Sequence, residues 1–480
     1  MENQVDKIKE KSFSSINFNS FISVIIVLAC IIAISGILTL IIPQGSFLRD
    51  ETGQIVAGTF TKGEIRGIEF WKVITAPFRV FVADGGITII MISLFLLVMS
   101  GVFNLLDKTN GLKIIMNAMV RKFQAKRNLV IYLCVLFFML FGSLFGLFEE
   151  LVTLLPFIVV FMLSLGFDTM TGLGVCLLAS CFGFSAAITN PFSIGIASSF
   201  AGISTLSGLW LRIVFFILTY LLVCFFLIRY SNKIAKNPSL SLSYKIDIEK
   251  RESLDLSTTE NSVNDNRIFK VYITFFAIQF LVLILTAVIR PISSFAVPIL
   301  AGTFLIGGII SGLLIVDNKS LAFKYIGKGA LSMLPAVLLI ALASSVNLIM
   351  QESGILDTIM NFAINFLQGK GVFVCALLIY AFILFLQIFI GSASAKIFLI
   401  MPILLPICSV IGISPTLLIL VYCMADGFSD VFLPTNPVLL IALSMSNVSY
   451  SKWVKWSWKM QVSILILSLA VIFLAVQIGF

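Results

Sequence analysis

The sequence predicts an all-α polytopic membrane protein built from inverted-topology repeats, with two re-entrant hairpins and two broken helices. Three observations carry that expectation. The chain is 59% hydrophobic and only 11% charged over 480 residues, with a mean hydropathy of +1.11, and a water-soluble core cannot absorb that much apolar surface. Its uncharged runs reach the ~20 residues that a bilayer-spanning helix needs; they are continuous rather than alternating, which favours helices over a closed barrel. The chain also says the same thing twice. Residues 145–212 read FGLFEELVTLLPF, a Gly/Ser-rich stretch, AAITNPFSIGIAS and a Trp; residues 391–458 read GSASAKIFLIMPI, a similar stretch, FLPTNPVLLIALS and a Trp.

A constant shift of 246 places Pro156 on Pro402, Gly166 on Gly412, Thr189-Asn190-Pro191 on Thr435-Asn436-Pro437, and Trp210 on Trp456. Upstream, a shift of 243 carries Asn104-Leu105-Leu106 and Gly111 onto Asn347-Leu348-Ile349 and Gly354. A duplicated apolar unit with polar breaks at matching places is the pattern of a secondary transporter.

In chain order, residues 1–84 comprise a polar N-terminus with Lys7, Lys9 and Lys11, a first span at 20–43 and a polar outer loop. Val27-Leu28-Ala29-Cys30 resembles a lipoprotein cleavage box, but the apolar run continues to Pro43, so the segment reads as an uncleaved span. The first repeat, 85–229, holds a span at 85–106, an amphipathic stretch at 107–127, a broken segment at 129–163, and spans near 167–200 and 206–229. A hydrophilic linker, 230–267, divides the chain. Connecting spans near 268–290 and 295–316 occupy 268–326, and the second repeat is 327–480. Its parts are a span at 327–350, an amphipathic stretch at 351–370, a broken segment at 372–406, and spans at 410–445 and 459–480.

Lys/Arg placement sets orientation. The N-terminus, the 107–127 stretch, the linker and Lys452/Lys455/Lys459 are basic or carry Lys clusters, so they are assigned to the cytoplasm. The 351–370 counterpart has only Lys370, beside Glu352 and Asp357, and is assigned outside. The two copies then run in opposite senses, nine spans and two hairpins result, and the C-terminus lies outside a plasma (inner) membrane.

Composition excludes several function classes. The net charge of +9 is spread over loops without a dense basic block, which argues against nucleic acid. There is no His, and the eight Cys all lie in apolar segments without metal-ligand spacing. Zinc chemistry and His-based catalysis are therefore not expected, nor is an enzyme. Polar residues cluster at the breaks rather than forming the continuous stripe of a channel, and the linker is too short for a signalling domain. Trp453, Trp456 and Trp458 beside Lys452, Lys455 and Lys459 read as an interfacial anchor.

Three constellations could carry the transport chemistry. The first is the pair of hairpin tips: Gly146 to Glu150, with Glu149 and Glu150, and Gly391 to Lys396, with Ser392, Ser394 and Lys396. The repeat puts Glu150 and Lys396 in equivalent positions of opposite charge, and a charge inside the bilayer costs about 2.5–3.5 kcal/mol or more. The second is the pair of helix breaks. Pro191 and Pro437 remove a donor, and Thr189, Asn190, Thr435 and Asn436 can meet a polar solute beside a half-helix N-terminus. The third is Asp426 and Asp430, read as sharing a helix face at i and i+4. With Glu149 and Glu150 they give four carboxylates against Lys396, a surplus that favours a cationic ligand. No metal ligand set is assigned.

The segments IIPQGSF (41–47), NLLDKTNGL (104–112), GLFEELVTLLPF, ITNP, GSASAK and LPTNP together resemble the YfcC-type branch of the anaerobic dicarboxylate carrier family, within the wider ion transporter superfamily. The resemblance spans nearly the whole chain from residue 20, apart from the linker. It implies a scaffold domain that dimerises, a transport domain of two hairpins and two broken helices, and elevator movement with the substrate between the tips. It maps the tips to Glu149–Glu150 and Ser392–Lys396, and the breaks to the two Thr-Asn-Pro sites. Well-known relatives carry Ser-Asn-Thr at both tips to hold sodium and a carboxylate; this chain has neither triplet. Members of the branch look like carriers either of C4-dicarboxylates or of basic amino acids, including arginine/ornithine exchangers. The surplus of acids favours the amino acid, with a dicarboxylate coupled to H+ or Na+ as the alternative. No organic cofactor is expected.

Overall fold

The uninterrupted apolar runs fold as helices because only intra-segment hydrogen bonding satisfies the backbone without water. The computed structural model describes residues 18–48, 56, 58–83, 86–111, 114–115, 126–254, 263–289, 295–367 and 369–480. Most of the 107–127 amphipathic stretch, including Arg121 and Lys122, lies outside these residues. Among the described residues seven helices are long and apolar enough to cross a membrane, and nine shorter apolar helices accompany them. The one sheet among the described residues is a two-residue antiparallel pair, β1 (Gly45–Ser46) with β2 (Thr61–Lys62).

The helices, in order, are α1 (Phe18–Ile41), α2 (Phe70–Arg79), α3 (Gly86–Lys108), α4 (Arg127–Phe145) and α5 (Leu155–Ser164). Next come α6 (Thr169–Ser185), with a π-helical turn at Gly174–Leu178, and α7 (Pro191–Ala201). They are followed by α8 (Leu209–Lys236), α9 (Tyr244–Leu254), α10 (Val263–Val288), α11 (Ala296–Ile315), α12 (Lys319–Ser332), α13 (Leu334–Glu352) and α14 (Leu356–Leu367). The remainder are α15 (Val372–Gln387), α16 (Ala393–Ile411), α17 (Pro415–Asp426), α18 (Pro437–Ser446) and α19 (Tyr450–Gln477). α4 to α8 and α15 to α19 thus run through the same series: helix, tip, helix, broken helix, long helix. Gly166 and Gly412, which the repeat superposes, share a left-handed backbone at φ +86° and +89°, a conformation that glycine adopts without strain.

Two packing groups are evident. In one, α3 lies against α11 and α12, and α13 against α1 and α2; in the other, α4 lies against α6 and α8, and α15 against α17 and α19. Small residues let backbones touch, as is usual between membrane helices. At the α3–α12 crossing, Ser100 Oγ donates to the Gly329 carbonyl at 2.7 Å and Asn104 Nδ2 to the Tyr325 carbonyl at 2.7 Å. The segment after α1 is pinned to the α13–α14 corner. Gly45 N donates to Gly354 O, Phe47 N to Asp357, Thr358 Oγ1 to the Pro43 carbonyl, and Arg79 pairs with Glu352.

Two expectations are corrected here. The 230–267 linker is not simply a hydrophilic divider: α8 runs through it to Lys236, and α9 docks beneath the start of α6. Asp168 accepts from the Tyr230 and Ser241 hydroxyls, each at 2.6 Å, and caps α6 through Thr171 N at 2.8 Å. Asp247 accepts from Thr169 N at 3.1 Å, and Lys250 Nζ donates to the Ser446 carbonyl at 2.9 Å. The second correction concerns the tryptophans. Trp453 is fully buried, its indole donating to the Val431 carbonyl, and Trp456 is 6% exposed. Only Trp458 is exposed, with Lys459 over its ring. A helical run of Trp at 453, 456 and 458 cannot present all three to one surface, and the larger part of the set packs inward.

The docked linker yields a pH prediction. Burial pushes the Lys250 amine down to about 8 from its usual 10.5. Below about 8 folded and unfolded chains both hold the proton, and the desolvation cost is full. As pH rises towards 10.5 the unfolded chain binds the extra proton, so the cost is progressively relieved and stability rises. Thermal unfolding of wild type and Lys250→Met over this range should show the wild type gaining on the variant as pH increases. Parallel curves would reject the assignment.

Candidate functional site

Both helix breaks are stopped by the same chemistry. Proline opens α7 and α18, where its missing N–H costs nothing, and the preceding asparagine caps the helix. Asn190 Oδ1 accepts from Phe192 N and Asn436 Oδ1 from Val438 N, each at 2.9 Å. The two Asn side chains expected to meet the solute therefore spend one end on the backbone. Their other ends differ: Asn190 Nδ2 donates to the Phe184 carbonyl at 3.3 Å, whereas Asn436 Nδ2 donates to the Asp430 carboxylate at 2.8 Å. Thr189 Oγ1 donates to the Leu144 carbonyl at 3.0 Å, and the amides of Ile188, Thr189 and Asn190 all point at the Ser143 carbonyl. The first break is thus stitched to the end of α4. Thr435 is buried beside the second.

The two breaks meet in space. Cys181 Sγ donates to the Gly427 carbonyl at 2.9 Å, and Phe182 meets Phe428 edge to face at 4.9 Å. Under the shift of 246, Cys181 corresponds to Gly427 and Phe182 to Phe428, so each residue touches its own repeat mate. A Cβ on Gly427 would sit 2.0 Å from Ser185 Oγ, so glycine is what allows this crossing.

The charged side chains separate into two places. At the first tip Gly146 (φ +70°) closes α4; a Cβ there would lie 2.3 Å from Asn190 Oδ1. Glu149 and Glu150 occupy the following turn. Glu149 opens into a cavity of about 30 Å³ whose walls include Phe95, Met99, Val152, Val438 and Met445, room for a water or two. Glu150 is partly buried.

The second place is a buried polar cluster. α15 ends at Gln387, a turn follows, and Ser392 caps α16 through Ala395 N at 3.4 Å. Ser394 and Lys396 therefore lie in the first turn of α16, not in the tip, which corrects the expected hairpin boundary. Lys396 is 0% exposed and pairs with Asp426, the last residue of α17. Asp430 is not on the same helix face as Asp426: α17 has ended, and Asp430 sits in the turn beyond. There it accepts from the Gln387 and Asn436 amides and lies within the fields of Lys396 and Asp426. Tyr422 donates its hydroxyl to the Ala393 carbonyl at 2.6 Å, tying α17 to the start of α16.

The structure thus brings Lys396, Asp426, Asp430 and Asn436 together, with Ser392 and Ser394 at the mouth of α16 and Glu149 facing a separate cavity. Two members of the cluster, Gln387 and Tyr422, are not among the residues the sequence points to. Gln387 had a signal, as the sole carboxamide in the apolar run 372–390; Tyr422 had none. Among the described residues no group of three or more His, Cys, Asp or Glu could hold a metal ion.

Comparison with known proteins gives the family. The family model described as "DcuC: C4-dicarboxylate anaerobic carrier" matches residues 21–477. The chain is 28% identical over 383 residues to a protein of Escherichia coli (strain K12) named "Putative basic amino acid antiporter YfcC", covering 77% of this chain and 74% of that protein. It is 27% identical over 379 residues to an uncharacterized protein of Haemophilus influenzae, covering 78% of this chain and 73% of that protein. The crystal structure of the Alcanivorax borkumensis YdaH transporter aligns over 96% of this chain and 98% of that one, with 16% identity and a TM-score of 0.43. On the family match, over nearly its full length, this multi-span membrane protein is a transporter and belongs to the C4-dicarboxylate anaerobic carrier family, DcuC.

Proposed function

We propose that the chain is a secondary active transporter of a small carboxylate-bearing solute across the plasma membrane, with a basic amino acid, in arginine/ornithine-type exchange, as its cargo. The charge inventory of the buried cluster carries this reading. One cation, Lys396, faces two carboxylates, Asp426 and Asp430, and Lys396 is already engaged by Asp426. A basic amino acid offers its cationic side chain to Asp430. A dicarboxylate would add two negative charges to a cluster with an acid in excess. The name of the Escherichia coli relative agrees with the amino acid.

The second reading is a C4-dicarboxylate carrier coupled to H+ or Na+, favoured by the description of the family. It requires Lys396 to leave Asp426 for the incoming anion. In either case we take 85–229 and 327–480 as inverted repeats forming, with their hairpins, a transport body that moves against a dimeric scaffold. The N-terminus is then cytoplasmic and the C-terminus outside. The contacts of Cys181 with Gly427 and Phe182 with Phe428 support a two-fold relation between the halves.

Counterflow in proteoliposomes without an ion gradient tests the cargo. Vesicles loaded with ornithine or with succinate are offered labelled arginine and labelled succinate. Arginine entry should require internal ornithine, and Asp430→Asn should reduce it by about tenfold or more, the loss of ~1.4 kcal/mol of interaction. Succinate entry alone would favour the second reading.

A further inference from the structure

We propose that Lys396 is a built-in cation. It holds permanently the positive charge that a bound sodium ion would otherwise bring to this buried cluster, so the carrier binds and moves its solute without sodium. The inference rests on the transporter reading above and adds the ion requirement to it.

The first argument is placement. Lysine is among the residues least often buried, and where its stem is covered the ammonium usually reaches water. Here the side chain is 0% exposed and the carboxylate it meets on Asp426 is 2% exposed. Lys396 also sits in the first turn of α16, where the helix dipole presents partial positive charge and disfavours a cation. Neither helix stability nor solvation explains a lysine at this position. The buried acids do.

The second argument is the state of the oxygens. Alkali-cation sites in broken-helix carriers are built from unwound backbone carbonyls and side-chain oxygens near the breaks. In this cluster one oxygen of each acid already faces donors of the protein itself. Asp426 faces the Lys396 ammonium, the Ala393 carbonyl takes the Tyr422 hydroxyl at 2.6 Å, and Asp430 takes the amides of Gln387 and Asn436. An ammonium, a phenol and two carboxamides thus face three of the acceptors an ion would use, Asp426 Oδ1, the Ala393 carbonyl and Asp430 Oδ1, while Asp426 Oδ2 and Gln387 Oε1 are buried without a hydrogen-bond partner.

The third argument is asymmetry. Under the repeat, the first-half equivalents of Gln387, Lys396, Asp426 and Asp430 are Phe141, Glu150, Ser180 and Phe184. The pair exists in one half only, so the device is local and not a by-product of duplication. With Lys396 paired to Asp426, Asp430 is the acid left to meet the single positive charge of a guanidinium or ammonium side chain.

The test compares sodium chloride with choline chloride at equal ionic strength. It uses thermal unfolding of the detergent-solubilised full chain and counterflow of labelled arginine. Wild type should be indifferent to the exchange in both. Lys396→Ala exposes Asp426 and opens space beside it, so sodium should raise its melting temperature by about 3 °C or more over choline, as a ligand of the native state does. Lys396→Ala/Asp426→Asn should be indifferent again. A wild type stabilised by sodium, or carrying arginine only in its presence, overturns the proposal, as does Lys396→Ala that folds without a sodium response. If Lys396→Ala does not fold, Lys396→Gln, closer in size, takes its place and the wild-type arms still decide. Should no arginine enter in either salt while the melting curves behave as expected, the choice of cargo falls and the cation assignment stands.

Discussion

Gly183→Val is expected to abolish folding of the chain. Gly183 lies on α6 where it crosses α4, and a Cβ at this position would stand 2.2 Å from the Met139 carbonyl oxygen and 2.5 Å from its Cα. The crossing is reciprocal: a Cβ on Gly142 of α4 would stand 2.4 Å from the Ser180 carbonyl oxygen and 2.7 Å from Phe184 N. These neighbours are backbone and cannot rotate away, so the helices must separate. Separation would also pull the Ser143 carbonyl from the three amides it accepts at the first break. Overpacking of a core side chain costs about 1–3 kcal/mol where neighbours can adjust, and here the cost should exceed that range. Size-exclusion profiles and melting temperatures should show loss of a monodisperse protein for Gly183→Val and a smaller loss for Gly142→Ala. Gly302→Ala on α11, where nothing lies within 4 Å of an added Cβ, should behave as wild type. A normal profile for Gly183→Val would mean the α4–α6 crossing is not as close as described.

Lys396→Met should be the second most damaging change, and its partner should rescue it. Removing the ammonium leaves Asp426 buried without its counter-ion, and breaking a buried pair from one side costs about 3–5 kcal/mol. Asp426→Asn should cost less, because Lys396 still has Asp430 within its field. The double variant Lys396→Met/Asp426→Asn removes both charges and should recover most of the lost stability, since replacing a whole buried pair by neutral groups is often close to neutral. Unfolding in sodium-free buffer measures all three. If the single losses simply add in the double variant, the two side chains are not coupled and the ion pair is not the feature that holds α16 against α17.

Much of the architecture is legible in the sequence. Uncharged runs dictate helices because the backbone has no other partner in lipid, and the two Thr-Asn-Pro triplets marked both breaks because proline cannot continue a helix and asparagine caps the next. The repeat alignment predicted that Gly166 and Gly412 share a role, and they share a left-handed conformation. Where pattern and structure part, a local spacing has been overridden by tertiary packing. Asp426 and Asp430 have the i, i+4 spacing of one helix face, but α17 stops at Asp426. Lys396 falls in the tip by repeat alignment, but Ser392 caps a helix that already includes it. Trp453 and Trp456 sit near lysines in sequence and inside the core in space.

The sequence by itself determined the membrane class, the helical series of each half, the duplicated breaks and the membership of one transporter family. These depend on hydropathy, backbone chemistry and spacing, all of which are local. Only the tertiary structure decided which charges meet. Lys396 could pair with Glu149, Glu150, Asp426 or Asp430 by charge alone, and it pairs with Asp426 because Ser392 starts α16 where α17 ends. Gln387 reaches Asp430 across 43 residues of chain, and Lys250 of the linker reaches Ser446 across 196. A buried charge is stabilised by the group within a few ångströms of it, and that neighbour is chosen by the packing of helices distant in sequence.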